Sequence, residues 1–253
     1  MTNSEFQKQP KISIVVAVFN GAKTLQQCLN SIIQQPYQYK ELIVIDGGSE
    51  DATLSLIKEI QEHVSYFISE PDKGIYDAWN KALKKVSGEW IAFIGADDVF
   101  LPNALQSYAD YINAHENERF EYISSRVNLV HGNRHIRTIG NSWNWRAFRR
   151  YMNVAHVGSL HNIRLYETYG AYDVSYKICA DYEFLLRPKA SLKAGFLDQA
   201  TVNMSIGGAS DSSAALIETE RAKVTSGGRN KFLARFERKF AILRMHTRKR
   251  IWY

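Results

Sequence analysis

The sequence predicts an α/β domain with a mostly parallel central sheet flanked by helices and a basic helical extension at the C-terminus. Three observations carry this expectation. Continuous apolar, β-branched runs of strand length occur at 12–19 (ISIVVAVF), 41–45 (ELIVI) and 89–95 (EWIAFIG). The segments between them repeat their apolar residues at helical spacing. Strand and helix therefore alternate over roughly the first hundred residues, the pattern of parallel strands joined by crossover helices.

Each element has its own signal. Residues 12–19 are apolar throughout, as in a strand buried on both faces. In 22–35, Leu25, Cys28, Leu29, Ile32 and Ile33 mark one helix face. A second strand, 41–45, runs into the turn-rich DGGSED, and Leu54, Leu56, Ile57 and Ile60 predict a helix reaching about His63. A short strand at Tyr66–Ile68 precedes a helix over Ile75–Val86, and EWIAFIGADD reads as a buried strand ending in two carboxylates. Pro102 near the first helical position predicts a helix over 102–114. Residues 120–140 predict antiparallel strands turning at His131-Gly132-Asn133. Helical signals follow at 164–169 and 181–187, then a glycine-rich loop, SIGGAS, at 205–210.

Composition narrows the function classes. With 253 residues, 45% of them hydrophobic, the chain supports a substantial core. No apolar run approaches the roughly 20 residues that span a bilayer, and MTNSEFQKQPK lacks the pattern of a secretory signal. A cytoplasmic protein is expected, with Cys28 and Cys179 reduced. Residues 229–253 hold nine Lys or Arg and one acid, a net of +8 within a total of +6, which leaves about −2 for residues 1–228. That distribution argues against a nucleic-acid-binding face, where basic residues normally spread through the domain.

Ligands of open parallel sheets bind beyond the carboxyl ends of the strands. Here those ends read Phe19-Asn20, Asp46-Gly47-Gly48 and Gly95-Ala96-Asp97-Asp98. No GxGxxG follows the first strand and no GxxxxGK[ST] occurs, so a glycine-rich phosphate cradle is absent. A phosphorylated ligand would then be held by carboxylates through a divalent metal. Asp97 and Asp98 suit that task, one reaching a metal and the other a sugar hydroxyl; a solvated acidic loop or a helix cap is the alternative. Asp46 can accept from the N–H of a nucleobase, with Gly47 and Gly48 allowing close approach.

These motifs together resemble the family 2 glycosyltransferases of the GT-A fold, the nucleotide-diphospho-sugar transferases. The resemblance rests on SIVVAVFN, DGGSEDAT, SEPDKGIYDAWNKALKKVSGEWIAFIGADD and HVGSLHNIRLYETYGAYDVSYKICADYEFLLR, covers roughly residues 11–210, and is greatest to bacterial enzymes that build surface polysaccharides. It implies a GT-A domain over 1–228. Phe19, Asn20 and Asp46 would line the base pocket, and Asp72, Lys73, Gly74, Tyr76, Asp77 and Asn80 would sit beside the donor. Ala96 and Asp97 would lie against the ribose or sugar, and Asp98 would hold a divalent metal, Mn or Mg. Asp181 matches the catalytic base; the family often has an acid just before it, where this chain has Ala180, which leaves Glu183 as a lesser, acceptor-side candidate. His156 stands where the family often has histidine, as an acceptor-side contact or a structural residue.

The resemblance further implies inverting transfer of a hexosyl or N-acetylhexosaminyl group, most simply from a UDP-sugar, to a cell-surface glycan or lipid-linked precursor. A non-catalytic nucleotide-sugar-binding or assembly module on the same fold is the alternative. Trp143 and Trp145 are read as core aromatics in preference to sugar platforms. Within the extension 229–253, Phe232, Leu233, Phe236, Phe240, Ile242 and Leu243 recur near helical spacing among cations. That suits an anionic membrane surface and peripheral attachment at the inner face of the cytoplasmic membrane; packing on protein is the alternative.

Overall fold

The computed structural model describes residues 9–208 and 212–252, and beyond residue 243 the backbone alone. The first half is built as β1 (Ile12–Val18), α1 (Leu25–Ile33), β2 (Lys40–Asp46), α2 (Thr53–Glu59), β3 (Tyr66–Ser69), α3 (Ile75–Leu83) and β4 (Trp90–Gly95). These strands pair in parallel in the order β3-β2-β1-β4. Every residue of β1 is buried, and the strand's period of two divides them between two cores. Ile12, Ile14, Val16 and Val18 pack with α1 on one face, while Val15 and Ala17 pack with α3 on the other.

The second half comprises β5 (Val99–Phe100), α4 (Ala104–Ala114), β6 (Tyr122–His131), β7 (Arg134–Ile139), α5 (Trp145–Phe148), β8 (Ser159–Asn162), α6 (Arg164–Tyr169), α7 (Ala180–Leu186), β9 (Ala194–Ser205), α8 (Ser213–Thr225) and α9 (Lys231–Trp252). The sheet continues β4-β8-β6-β9-β5, with β7 on the outer part of β6. Here the pairing changes character: β4–β8, β6–β8, β5–β9 and β6–β7 are antiparallel, and β6–β9 is parallel. The sheet is thus mixed: the pairs of the first half are all parallel, whereas the second half combines four antiparallel pairs with the parallel β6–β9.

The β6–β7 hairpin turns at Gly132 and Asn133 as expected, with Gly132 at φ 57°. Pro102 does not open α4: the helix starts at Ala104, after Asn103 in the left-handed region at φ 61°. Trp143 packs 4.3 Å from Phe148 and Trp145 lies against the same core, as the core reading expects. Cys28 and Cys179 are buried thiols in no disulfide. Among the described residues no helix is long and apolar enough to cross a membrane. Of the 205–210 loop, Ala209 and Ser210 lie outside the described residues.

The extension is one long helix, α9, attached by ion pairs to α8. Glu237 receives Lys223 at 3.2 Å and Arg229 at 2.5 Å, while Glu220 of α8 receives Arg238 at 2.5 Å. Ala234 is fully buried on that side.

Candidate active site

The carboxyl ends of β1, β2 and β4 gather the first group of candidates. β4 ends at Gly95, and the chain turns at once through Ala96-Asp97-Asp98, so both acids fold back over the strand end. A Cβ placed on Gly95 would stand 2.8 Å from Asp97 Oδ1 and 2.8 Å from Asp98 Oδ2. The two carboxylates therefore converge on one point, which only a glycine leaves open. Asp98 is 4% exposed, and Ser205 N–H donates to its Oδ1 at 3.0 Å. Burial, reinforced by Asp97, pushes the Asp98 carboxyl up to about 7. Asp97 remains exposed, its backbone carbonyl accepting from Ser205 Oγ at 2.7 Å. Beneath them the Cys28 thiol donates to the Gly95 carbonyl at 3.4 Å, and burial, Asp98 and Asp97 raise its pKa.

This acidic pair fits a divalent cation. A buried carboxylate held near neutrality by a second carboxylate is the environment that a hard cation relieves. Among the described residues no group of three or more His, Cys, Asp or Glu side chains gathers into a metal cluster, so ligand oxygens and water would complete the shell.

The end of β2 is organised differently. Asp46 is fully buried, and its carboxylate accepts from Gly48 N–H at 3.1 Å, Ser49 N–H at 2.9 Å, Ser49 Oγ at 2.5 Å and Ser69 Oγ at 2.6 Å. It fixes the loop after β2, where the sequence expected a base-binding carboxylate. Ser49 Oγ in turn accepts from Asn20 N–H at 2.7 Å, which holds Asn20 at φ 50° and leaves the Phe19 ring 64% exposed. A Cβ on Gly47 would meet Asp72 Oδ2 at 2.7 Å and the Phe19 ring at 3.4 Å. The open wall of this end is thus Phe19, Gly47 and Asp72. Asp72 Oδ1 accepts from Gly74 N–H at 2.8 Å, and Asp77 reaches back to Lys73 N–H at 3.0 Å to close the first turn of α3. Gly74 sits at φ 117° with open space where a side chain would be. Ala96 lies close by, 3.6 Å from a Cβ placed on Gly21.

Asp181 enters from the other side, in the first turn of α7. Tyr76 Oη from α3 lies 3.0 Å from Asp181 Oδ1 and donates to the Ile178 carbonyl at 2.5 Å. Lys177 Nζ donates to the Lys73 carbonyl at 2.8 Å, joining the Asp181 loop to the loop before α3. Below, Trp79 stacks on His156 at 4.9 Å and meets Phe93 of β4 at 4.7 Å and Tyr76 at 5.2 Å, so the tyrosine that reaches Asp181 rests on the same aromatic layer as β4.

Besides the buried Asp46, three candidates are not presented to this space. Glu183 is 5% exposed and engaged by Arg187 Nη2 at 2.6 Å and Ser226 Oγ at 2.5 Å, because two positions along a helix turns its side chain away from that of Asp181. Asn80 binds the Tyr172 backbone at both ends, Nδ2 to the carbonyl at 2.9 Å and Oδ1 from the N–H at 3.0 Å. His156 is 8% exposed within the aromatic stack; burial lowers its pKa, with Asp181 opposing. Two contributors escaped the sequence, Ser205 at the acidic pair and the α8 residues behind Asp181. Ser205 opens the SIGGAS loop, which the sequence marked without linking it to the acidic pair, and the α8 neighbourhood carries no motif.

A parallel half-sheet continued by antiparallel strands and flanked by helices on both faces is an α/β fold of the GT-A type. Solved structures of this fold superpose on the chain. The Staphylococcus aureus TarS fragment 1–349 in complex with UDP-GlcNAc matches with TM-score 0.68 and 17% identity over 88% of this chain and 69% of its own. Mannosyltransferase PcManGT from Pyrobaculum calidifontis, in complex with GDP-Man and Mn2+, matches with TM-score 0.60 and 16% identity over 87% of this chain and 63% of its own. A "PGL/p-HBAD biosynthesis glycosyltransferase" of Mycobacterium bovis is 30% identical over 188 residues, covering 70% of this chain and 69% of the mycobacterial protein. The chain belongs to glycosyl transferase family 2, whose family model matches residues 13–168.

Proposed function

We propose that this glycosyltransferase is inverting and metal-dependent, and moves a hexosyl or N-acetylhexosaminyl group from a UDP-sugar to a cell-surface glycan or its lipid-linked precursor. The observation that carries the reading is the convergence of Asp97 and Asp98 over Gly95, with Asp181 delivered from a different helix. The UDP and UDP-GlcNAc complexes of TarS support the donor class, and the GDP-Man and Mn2+ complex of PcManGT supports the metal.

Asp98 with Asp97 would hold a divalent cation, which when bound neutralises charge on the departing diphosphate. Phe19 and Asp72 flank the nucleobase, Asp46 keeps their loop in place, and Gly74 lets the diphosphate approach backbone. The acceptor hydroxyl oxygen forms the new bond to the anomeric carbon while the bond to the diphosphate breaks, and Asp181 takes the hydroxyl proton. Attack opposite the leaving group inverts the anomeric centre.

A panel of UDP, GDP, dTDP, ADP and CDP, each with and without manganese, tests this by thermal melting. One nucleotide should raise the midpoint only with metal, and Asp98→Ala should remove the shift. No shift with any nucleotide, from a folded sample, would favour a non-catalytic assembly module.

The α9 helix supports a lipid-side acceptor. At 100° per residue, Phe232, Leu243, Phe236, Phe240 and Leu233 fall within about 100° of arc. All five are exposed, from 49% at Leu233 to 81% at Phe232. Ala234 and the Glu237 and Arg238 ion pairs face α8 instead, so the aromatic stripe points away from the body. The same helix carries the exposed Lys231 and Lys239, and an aromatic stripe on a basic segment fits an anionic membrane surface. Co-sedimentation should occur with phosphatidylglycerol vesicles, fail with phosphatidylcholine, and weaken in Phe232→Ser/Phe236→Ser; equal binding of that variant would remove the membrane reading.

A further inference from the structure

The loop that delivers Asp181 is held from a helix some forty residues further on. Lys177, Ile178 and Cys179 precede α7, where backbone amides have no intrahelical acceptor. All three amides converge on one carboxylate of α8. Lys177 N–H donates to Glu218 Oε1 at 2.8 Å, while Ile178 N–H and Cys179 N–H donate to Oε2 at 2.8 and 3.0 Å. We infer that Glu218 is a positioning residue that sets the placement of Asp181 during transfer, an inference that rests on reading Asp181 as the base.

The geometry makes the carboxylate hard to replace. Hydrogen bonds to an ionised acceptor are about twice as strong as neutral ones, and here three act on consecutive peptides. On the opposite side the Ile178 carbonyl accepts from Tyr76 Oη at 2.5 Å, the same hydroxyl that lies 3.0 Å from Asp181 Oδ1. The 178–179 segment is therefore gripped by α3 through its carbonyl and by α8 through its amides. Cys179 Sγ adds a bond to the Ala215 carbonyl at 3.4 Å. Asp181 follows two residues later, so rotation of these peptides would swing its carboxylate out of line. Other α8 contacts hold earlier parts of the loop: Arg221 reaches Ser175 Oγ at 2.7 Å and lies 4.1 Å over the Tyr176 ring. They control for general loosening of the loop.

The test measures UDP release from UDP-glucose and UDP-N-acetylglucosamine, and UDP affinity, in the full chain. Glu218→Ala should lower kcat about ten- to a hundredfold, the scale of an ångström-sized misplacement. UDP affinity should stay within about twofold, Arg221→Met should change kcat by less than about threefold, and Glu218→Asp should recover part of the loss. Native kcat in Glu218→Ala, in a series where Asp181→Asn is inactive, overturns this inference alone; an active Asp181→Asn overturns the base reading. Hydrogen exchange needs no substrate and applies equally to Glu218→Gln should the alanine variant fail to fold. Amides 177–179 should lose protection while those of α8 keep theirs, and unchanged protection overturns the inference.

Discussion

Glu41 and Asp98, two carboxylates buried at opposite ends of the parallel strands, are treated in opposite ways. At the amino end, Glu41 is held by Ser13 Oγ at 2.5 Å, Ser87 N–H and Oγ at 2.6 Å each, and Lys11 Nζ at 3.1 Å. Burial raises its pKa, these donors outweigh that, and the carboxyl falls to about 2. At the end of β4, burial, with a second acid beside it, raises Asp98 to about 7. The amino end satisfies its charge from within and steadies the sheet. The end of β4 keeps a charge that its described neighbours do not balance, as functional sites commonly do, whereas Asp46 at the end of β2 is satisfied from within as Glu41 is.

The sharpest way to break this contrast is Asp98→Asn. It should lower kcat by about 10²–10³-fold while leaving the melting temperature unchanged or higher, because it removes a charge that burial and Asp97 oppose. Assay and melting on one preparation check both halves; a clear loss of stability would mean Asp98 supports the fold.

The glycines bordering β4 offer a second test. A Cβ on Gly88 would meet the Lys11 carbonyl at 2.7 Å and Ser13 N at 2.8 Å, both backbone, whereas on Gly95 it would meet only carboxylate oxygens. Gly88→Ala should cost about 1–3 kcal/mol by denaturant titration with activity per folded molecule preserved. Gly95→Ala should do the reverse, disabling transfer at smaller cost in stability. Glu41→Gln should lose about 1–2 kcal/mol without changing kcat, a modest figure because solvent reaches part of the cluster.

Acidity should separate the two ends most finely. Glu41 has a depressed folded pKa, so its contribution is present above its ordinary 4.5 and lost as pH falls through about 2. Asp98 has a raised one, so its contribution is complete below 3.8 and lost as pH rises through about 7. Melting temperatures across pH 2–8 should show both losses, and Asp98→Asn should abolish only the one on the neutral side.

The parallel half could be read from the chain because burial on both faces leaves an unbroken apolar run, and a run of known polarity has a known carboxyl end. That located Asp46, Asp97 and Asp98. What each carboxylate binds was not readable: Asp46 meets Ser69, 23 residues away, while Asp98 meets the backbone of Gly95 and of Ser205, 107 residues away, with Asp97 beside it. β9 and α8 gave no periodic signal. β9 alternates only partly between buried and open residues, and α8 buries just Ala215, Ala222 and Lys223. Glu218 therefore looked like any surface acid, since its partners are three backbone amides that no side-chain pattern records.

Each end of the site also covers a thiol, Cys28 under the acidic pair and Cys179 at the start of α7. Both are buried and both have raised pKa values, so an alkylating reagent reaches them only when the surrounding segment opens. The chain thereby carries two native clocks. Labelling at Cys28 times excursions of the end that carries Asp97 and Asp98, labelling at Cys179 times those of the loop before α7, and the unmodified protein shows whether a bound nucleotide quiets them together or one at a time.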